Sequence, residues 1–192
     1  MKGPWLFVLG ALCGLAVVGI PRVVTHLHGA LHGGHGDAAT SGTERAHTEE
    51  KFAFTARAPI EEVMPLFGAD KERVWAHGWN PQFIHPLPAA DGPGMVFTVA
   101  HDHLKAAWVN TEFDAKKGRI QYVYVIPDAL VTVITLQLTP QGNQTQVEVE
   151  YDRTALSAEA DAHVRHMAEG DRTSGSDWAK QVNGYLENVH GR

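Results

Sequence analysis

Five stretches of alternating side chains follow one another with only turn residues between them, and this succession restricts the fold more than any other feature of the chain. Residues 145–153 alternate most cleanly: Val147, Val149 and Tyr151 point one way, and Glu148, Glu150 and Asp152 the other. A β-strand sends successive side chains to opposite faces, so this segment reads as one half-buried strand of a sheet. Residues 95–101 put Met95, Phe97 and Val99 on one face. Residues 105–113 set Ala107, Val109, Thr111 and Phe113 against Trp108, Asn110 and Glu112. Residues 119–126 group Ile120, Tyr122, Tyr124 and Ile126, and residues 130–138 group Leu130, Thr132, Ile134, Leu136 and Leu138. The connections are short and rich in turn formers, as in Lys116-Lys117-Gly118, Pro127-Asp128 and Pro140-Gln141-Gly142-Asn143. Such links join neighbouring strands, which makes the run an antiparallel meander.

Other elements flank the meander. Phe52 and Phe54 alternate with Ala53 and Thr55, which predicts a strand over 51–57. Pro59 opens a short helix over 60–67, with Glu61 and Glu62 at its positive end. Val63, Leu66 and Phe67 share the core face of that helix, and Pro65 shortens or kinks it. Trp75, Trp79 and Phe83 are spaced by four, a buried stripe if the segment is helical, but Asn80-Pro81 breaks it. After the meander the period changes. A helix is expected over 157–169, with Ser157 as N-cap and Gly170 as stop. A final helix starts at Ser176 or Asp177 and runs to about His190, with Trp178, Val182, Tyr185, Leu186 and Val189 in one stripe.

The order is strand, two short helical pieces, meander and C-terminal helix. In that order the chain resembles the SRPBCC superfamily, which includes START-type lipid carriers, birch-pollen-allergen-like proteins and polyketide cyclases. The segments that carry the resemblance are ARAPIEEVMPLFG (56–68), ERVWAHGWNPQFIHP (72–86), WVNTEFDAKKGRIQYVYVIPD (108–128), TQVEVEYDRTALS (145–157) and SGSDWAKQVNGYL (174–186). They cover most of residues 49–192 and none of the first 48. The resemblance implies an α+β helix-grip fold, a curved antiparallel sheet wrapped around a long C-terminal helix. It implies an apolar cavity between sheet and helix. It carries over no catalytic residues, because members of the superfamily do not share a catalytic set.

The N-terminal region is of another kind. Residues 4–20 contain no charge, with Lys2 before them and Arg22 after. As a helix, these 17 residues extend ~26 Å, and residues 21–27 bring the span close to the hydrocarbon thickness of ~30 Å. We read residues 1–27 as a transmembrane helix that anchors the chain once in a membrane, expected to be a bacterial inner membrane, with the side of the soluble domain unspecified. A cleaved signal peptide is the alternative, but the small-residue pattern of a cleavage site fits poorly. Residues 28–48 form a linker rich in His and Gly. His26, His28, His32 and His35 lie within ten positions, but Gly29, Gly33, Gly34 and Gly36 argue against the rigidity of a built metal site.

Composition excludes several functions. The 192 residues carry 22 acidic and 16 basic side chains, a formal charge of -6, which disfavours a nucleic-acid binder. A single cysteine permits no internal disulfide and no Cys-based zinc site. Nucleophile elbow, P-loop, dinucleotide fingerprint and HExxH are all absent. The histidine pairs are weak signals. His101 and His103 flank a turn, His77 and His85 flank Trp79-Asn80-Pro81, and His163 and His166 are helical neighbours on a surface. No metal or other cofactor is expected.

The better candidates are amphipathic side chains on the strands. Trp108, Glu112, Tyr122, Tyr124 and Tyr151 each put a polar tip on an apolar wall if they face inward, and His85 suits a cavity mouth. Tyr122 and Tyr124 share one face, and Trp108 and Glu112 share theirs. The expected function is a membrane-tethered domain that binds a small hydrophobic molecule or lipid. A cyclase- or hydrolase-type enzyme on the same scaffold and a stress-response or regulatory interaction domain without a ligand are the alternatives.

Overall fold

The computed structural model describes residues 44–101 and 104–191. The anchor assigned to residues 1–27 and most of the linker lie outside the described residues, as do Asp102 and His103. Among the described residues no helix is long and apolar enough to cross a membrane.

Seven strands form one sheet: β1 (His47–Ala56), β2 (Gln82–His85), β3 (Val96–His101), β4 (Leu104–Asp114), β5 (Arg119–Ile126), β6 (Leu130–Gln141) and β7 (Gln144–Ala155). Their order across the sheet is β1-β7-β6-β5-β4-β3-β2, and every neighbouring pair is antiparallel. The meander from β3 to β7 matches the sequence expectation, and β1 adds itself along β7 from His47↔Thr154 to Ala56↔Thr145. β1 thus begins four residues before Lys51, and its first two residues, His47 and Thr48, fall in the segment expected to be linker. β2 was not expected. It is short and pairs only with β3.

Between β1 and β2 the chain makes the helix α1 (Ile60–Val63) and two 3₁₀ turns, Met64–Phe67 and Lys71–Val74. Pro65 accounts for the first change of period. It has no N–H to give to the carbonyl four residues back, so the chain tightens into a 3₁₀ turn. Val63, Met64, Leu66 and Phe67 are buried there. Trp75 and Trp79 are buried without forming the helical stripe. Each is held by its indole N–H, Trp75 to Leu66 O at 2.7 Å and Trp79 to Ala69 O at 2.6 Å.

Two helices close the inner face of the sheet: α2 (Asp161–Asp171) and α3 (Gly175–His190). α2 starts later than Ser157, and Gly170 lies inside it rather than ending it. Its last residue, Asp171, is buried against Arg153 of β7, and this contact carries the helix past the glycine. α3 buries Trp178, Val182 and Leu186, while Val189 stays half exposed. Asn183 ties α3 to the end of β1, its Nδ2 donating to Thr55 O at 2.9 Å and its Oδ1 accepting the Arg57 N–H at 2.7 Å. The seven-stranded antiparallel sheet with its C-terminal helices is the helix-grip arrangement.

Candidate binding site

The alternation of the strands decides which side chains meet inside. On the inner face one cross-strand row runs Trp108–Tyr124–Thr132–Arg153, and the next runs Asn110–Tyr122–Ile134–Tyr151. All eight are buried. Trp108 stacks on Tyr124, with ring centroids 4.3 Å apart, and on Phe97 at 5.6 Å. Trp79 closes on Trp108 edge-on at 5.4 Å. From the helical side Trp178 packs among Phe52, Phe54, Phe67 and Trp75. Offset and edge-to-face contacts of this kind add to the area that each ring buries.

Within this aromatic interior sit polar groups that have no hydrogen-bond partner among the described residues. Glu72, on the second 3₁₀ turn, is completely buried, and neither carboxyl oxygen has a hydrogen-bond partner among the described residues. The same holds for the Trp108 indole N–H, both ends of the Asn110 amide, the Thr132 hydroxyl and the Nε and Nη2 of Arg153. Native interiors keep few such groups, because each forfeits its hydration without a replacement. Here they lie on the two inner rows and on the segment that covers them.

Electrostatics at the Glu72 end follow from burial. Loss of hydration pushes the Glu72 carboxyl well above the ordinary carboxylate range, so it keeps its proton to higher pH than an exposed glutamate does. Asp91 is raised as well, first by burial, with Asp70 adding to the effect, while the hydrogen bond from Ala69 N–H at 3.0 Å opposes it. The Tyr122 phenol is raised above its usual range chiefly by burial and then by the nearby Asp91 and Glu72 carboxyls. Its hydroxyl donates to Phe67 O at 3.1 Å, and the Asn110 amide beside it forms no well-aligned hydrogen bond. Glu72, Asn110 and Tyr122 thus form a polar corner at one end of the aromatic interior, and Asp91, exposed on its loop, lies close enough to act on the Tyr122 phenol.

At the other end Arg153 is 1% exposed. Its Nη1 pairs with Asp171, and its guanidinium lies 4.3 Å over the Tyr151 ring. His163 of α2 is pushed below the usual histidine range, first by burial and then by His166 and Arg153.

Four of the six residues singled out in the sequence, Trp108, Tyr122, Tyr124 and Tyr151, come together in the interior. The other two do not. β4 carries a bulge between Asn110 and Glu112, leaving Thr111 without a partner in the register. One extra residue reverses the alternation, so Glu112 does not share the face of Trp108. It turns outward, to Arg119 Nε at 2.9 Å and Lys117 Nζ at 3.7 Å. His85 is exposed at the end of β2. Glu72 and Arg153 had escaped notice. Glu72 stands in Asp70-Lys71-Glu72-Arg73, which reads as a solvated charge run. Arg153 had a signal: it continues the parity of Val147, Val149 and Tyr151, so the strand pattern points it inward.

The outer face is different in kind. The stripe Glu148, Glu150 and Asp152 lies there as expected. An open groove of about 560 Å³ is lined there by Lys51, Arg119, Thr135, Gln137, Glu148 and Glu150, among others. At the sheet edge, ligand atoms of His47, Glu49 and Asp152 lie within 4.8 Å of one another. A solvated strand surface accounts for this trio.

No protein-family model matches the chain, and no curated protein matches it. Solved structures do. Norcoclaurine synthase from Thalictrum flavum superimposes with a TM-score of 0.56, covering 87% of this chain and 100% of its own, at 10% identity. The Mll3558 protein from Rhizobium loti gives 0.51 over 72% of this chain and 99% of its own, at 20% identity. Ara h 8.0201 gives 0.50 over 70% and 98%, at 10% identity. At these identities the likeness is one of fold, and it agrees with the fold that the sequence resemblance implied.

Proposed function

We propose that the chain binds a small, largely apolar molecule in the interior between the sheet and α3, and that residues 1–27 tether this domain to a membrane. The observation that carries the binding reading is Glu72, a fully buried carboxyl in an aromatic interior, without a hydrogen-bond partner among the described residues. A site that binds such a ligand is an apolar wall with a few polar groups to orient it, and Trp108, Tyr124, Asn110 and Glu72 supply both parts. The synthase from Thalictrum flavum, which has this fold, has been solved with dopamine and hydroxybenzaldehyde, which supports small-molecule binding as a use of the scaffold. Tethering rests on the uncharged run of residues 4–20 and keeps the domain beside a reservoir of apolar ligands.

A second reading has its own observation. Glu72 and Tyr122 in one corner, and Asp91 on the loop beside it, are three titratable groups with raised proton affinity, and perturbed groups that converge in a pocket favour acid–base chemistry. On that reading Glu72 is the proton donor to a bound carbonyl or leaving oxygen.

The test is native mass spectrometry of the full chain released from detergent, followed by solvent extraction and identification of what it carried. A stoichiometric apolar adduct is expected. An apo mass, together with unchanged tryptophan fluorescence on titration with fatty acids and aromatic probes, overturns the binding reading.

A further inference from the structure

We infer that the ligand of this interior carries a carboxylate and that Arg153 is the residue that receives it; the inference rests on the interior being the binding site. A guanidinium is planar and has two useful edges. Nη1 of Arg153 is taken by Asp171. Nε–H and Nη2–H lie along another edge, parallel to each other, and neither has a partner among the described residues. Two parallel N–H donors in one plane match the two oxygens of a carboxylate, the geometry that makes arginine more selective than lysine for this group.

Three further observations fit this role. Arg153 is 1% exposed, so water does not compete with an acceptor for the open edge. The Tyr151 ring below the guanidinium fixes its plane. Thr132, opposite Arg153 in the β6–β7 register, is fully buried with its hydroxyl unpartnered and supplies one more donor on the same side. Asp171 already balances the charge of Arg153. The pair therefore selects by the directed hydrogen bonds of its free edge rather than by net positive charge. From Arg153 the row continues through Tyr124 to Trp108, so a ligand held at its carboxylate lays its apolar body along stacked rings.

The experiment compares one skeleton with and without the group: 1-naphthylacetic acid and its methyl ester, titrated calorimetrically into the full chain in detergent against blank micelles. The acid is expected to bind at least about tenfold more tightly than the ester, the difference between a charged two-point contact and a single neutral one. Arg153→Lys keeps the charge but loses the fork, and is expected to abolish the acid's advantage over the ester, read as the ratio of the two affinities in the variant. Thr132→Val, which leaves the Arg153–Asp171 pair in place, is expected to narrow the acid's advantage over the ester by a few-fold. Equal affinities in the native chain overturn the carboxylate assignment and leave interior binding standing, as does an acid preference that survives in Arg153→Lys. If neither compound nor any other apolar probe binds, the binding reading itself falls.

Discussion

Trp178 of α3 lies nearly parallel to Phe67, with ring centroids 6.1 Å apart and planes inclined by 20°. Phe67 ends the first 3₁₀ turn, so this contact joins the C-terminal helix to the segment that covers the inner face. Trp178 also meets Phe52 at 5.3 Å, Trp75 at 5.5 Å and Phe54 at 6.2 Å. One indole thus holds β1, the 3₁₀ segment and α3 together.

Replacing Trp178 by alanine is therefore expected to destabilise the domain by about 3–5 kcal/mol, the range for removing a large buried ring whose neighbours are fixed from several elements. Urea denaturation followed by far-UV circular dichroism reads the change. A loss below about 1 kcal/mol would mean that α3 does not close the core as described.

Glu72 gives a prediction with a sign. The unfolded chain releases this proton near the ordinary glutamate value of about 4.3, whereas burial raises the folded value well above it. The folded state thus binds more protons between the two values, and stability falls as pH rises through that window. Below the unfolded value Glu72 is neutral in both states and imposes no penalty. Glu72→Gln removes the ionisation, so the variant should gain stability relative to the native chain as pH rises from 5 to 8, with the two close together near pH 4. Denaturant midpoints at several pH values test this, and parallel curves for the two proteins would exclude a buried, ionising Glu72.

Much of this architecture was legible from period alone. Leu130 to Leu138 and Val147 to Tyr151 face inward as their alternation requires, because a sheet with one covered face has no other way to bury them. The site was legible only in part. Trp108, Tyr122, Tyr124 and Tyr151 are large and lie on regular strand positions, so parity finds them. Glu112 was misplaced because the bulge at Thr111 adds a residue that no local composition announces. Glu72 was missed because burial there comes from tertiary packing of a 3₁₀ turn, against the preference of its charged neighbours for water. Arg153 was missed for a different reason: the parity rule pointed it inward, but an arginine is seldom fully buried without a partner, and the partner, Asp171, lies 18 residues further on in another element.

The correction at Glu112 can be checked directly. Glu112→Gln removes charge from an outward pair with Arg119, whose side chain is 38% exposed. Exposed pairs contribute little, so the expected cost is no more than about 0.5–1 kcal/mol. Ligand affinity should be unchanged. A loss of binding in this variant would place Glu112 in the interior after all.

Gly118 and Gly142 make a matched pair of hairpin turns. Both have positive φ, 63° and 64°, so a side chain at either position meets the steric cost of the left-handed region, about 1–2 kcal/mol. Their surroundings differ. A Cβ at Gly142 meets nothing within 4 Å, while one at Gly118 sits 2.2 Å from Leu138 O. That oxygen belongs to the β6 backbone and cannot swing aside. Leu138 N–H also donates to Gly118 O at 2.7 Å, so relieving the clash disturbs the β5–β6 hairpin itself. Gly142→Ala should therefore cost about 1–2 kcal/mol, and Gly118→Ala a further 1–3 kcal/mol, in the range measured for overpacking. Thermal melts of the two variants side by side separate strain from clash. If they melt together, the close approach of Gly118 to β6 is not part of the folded state.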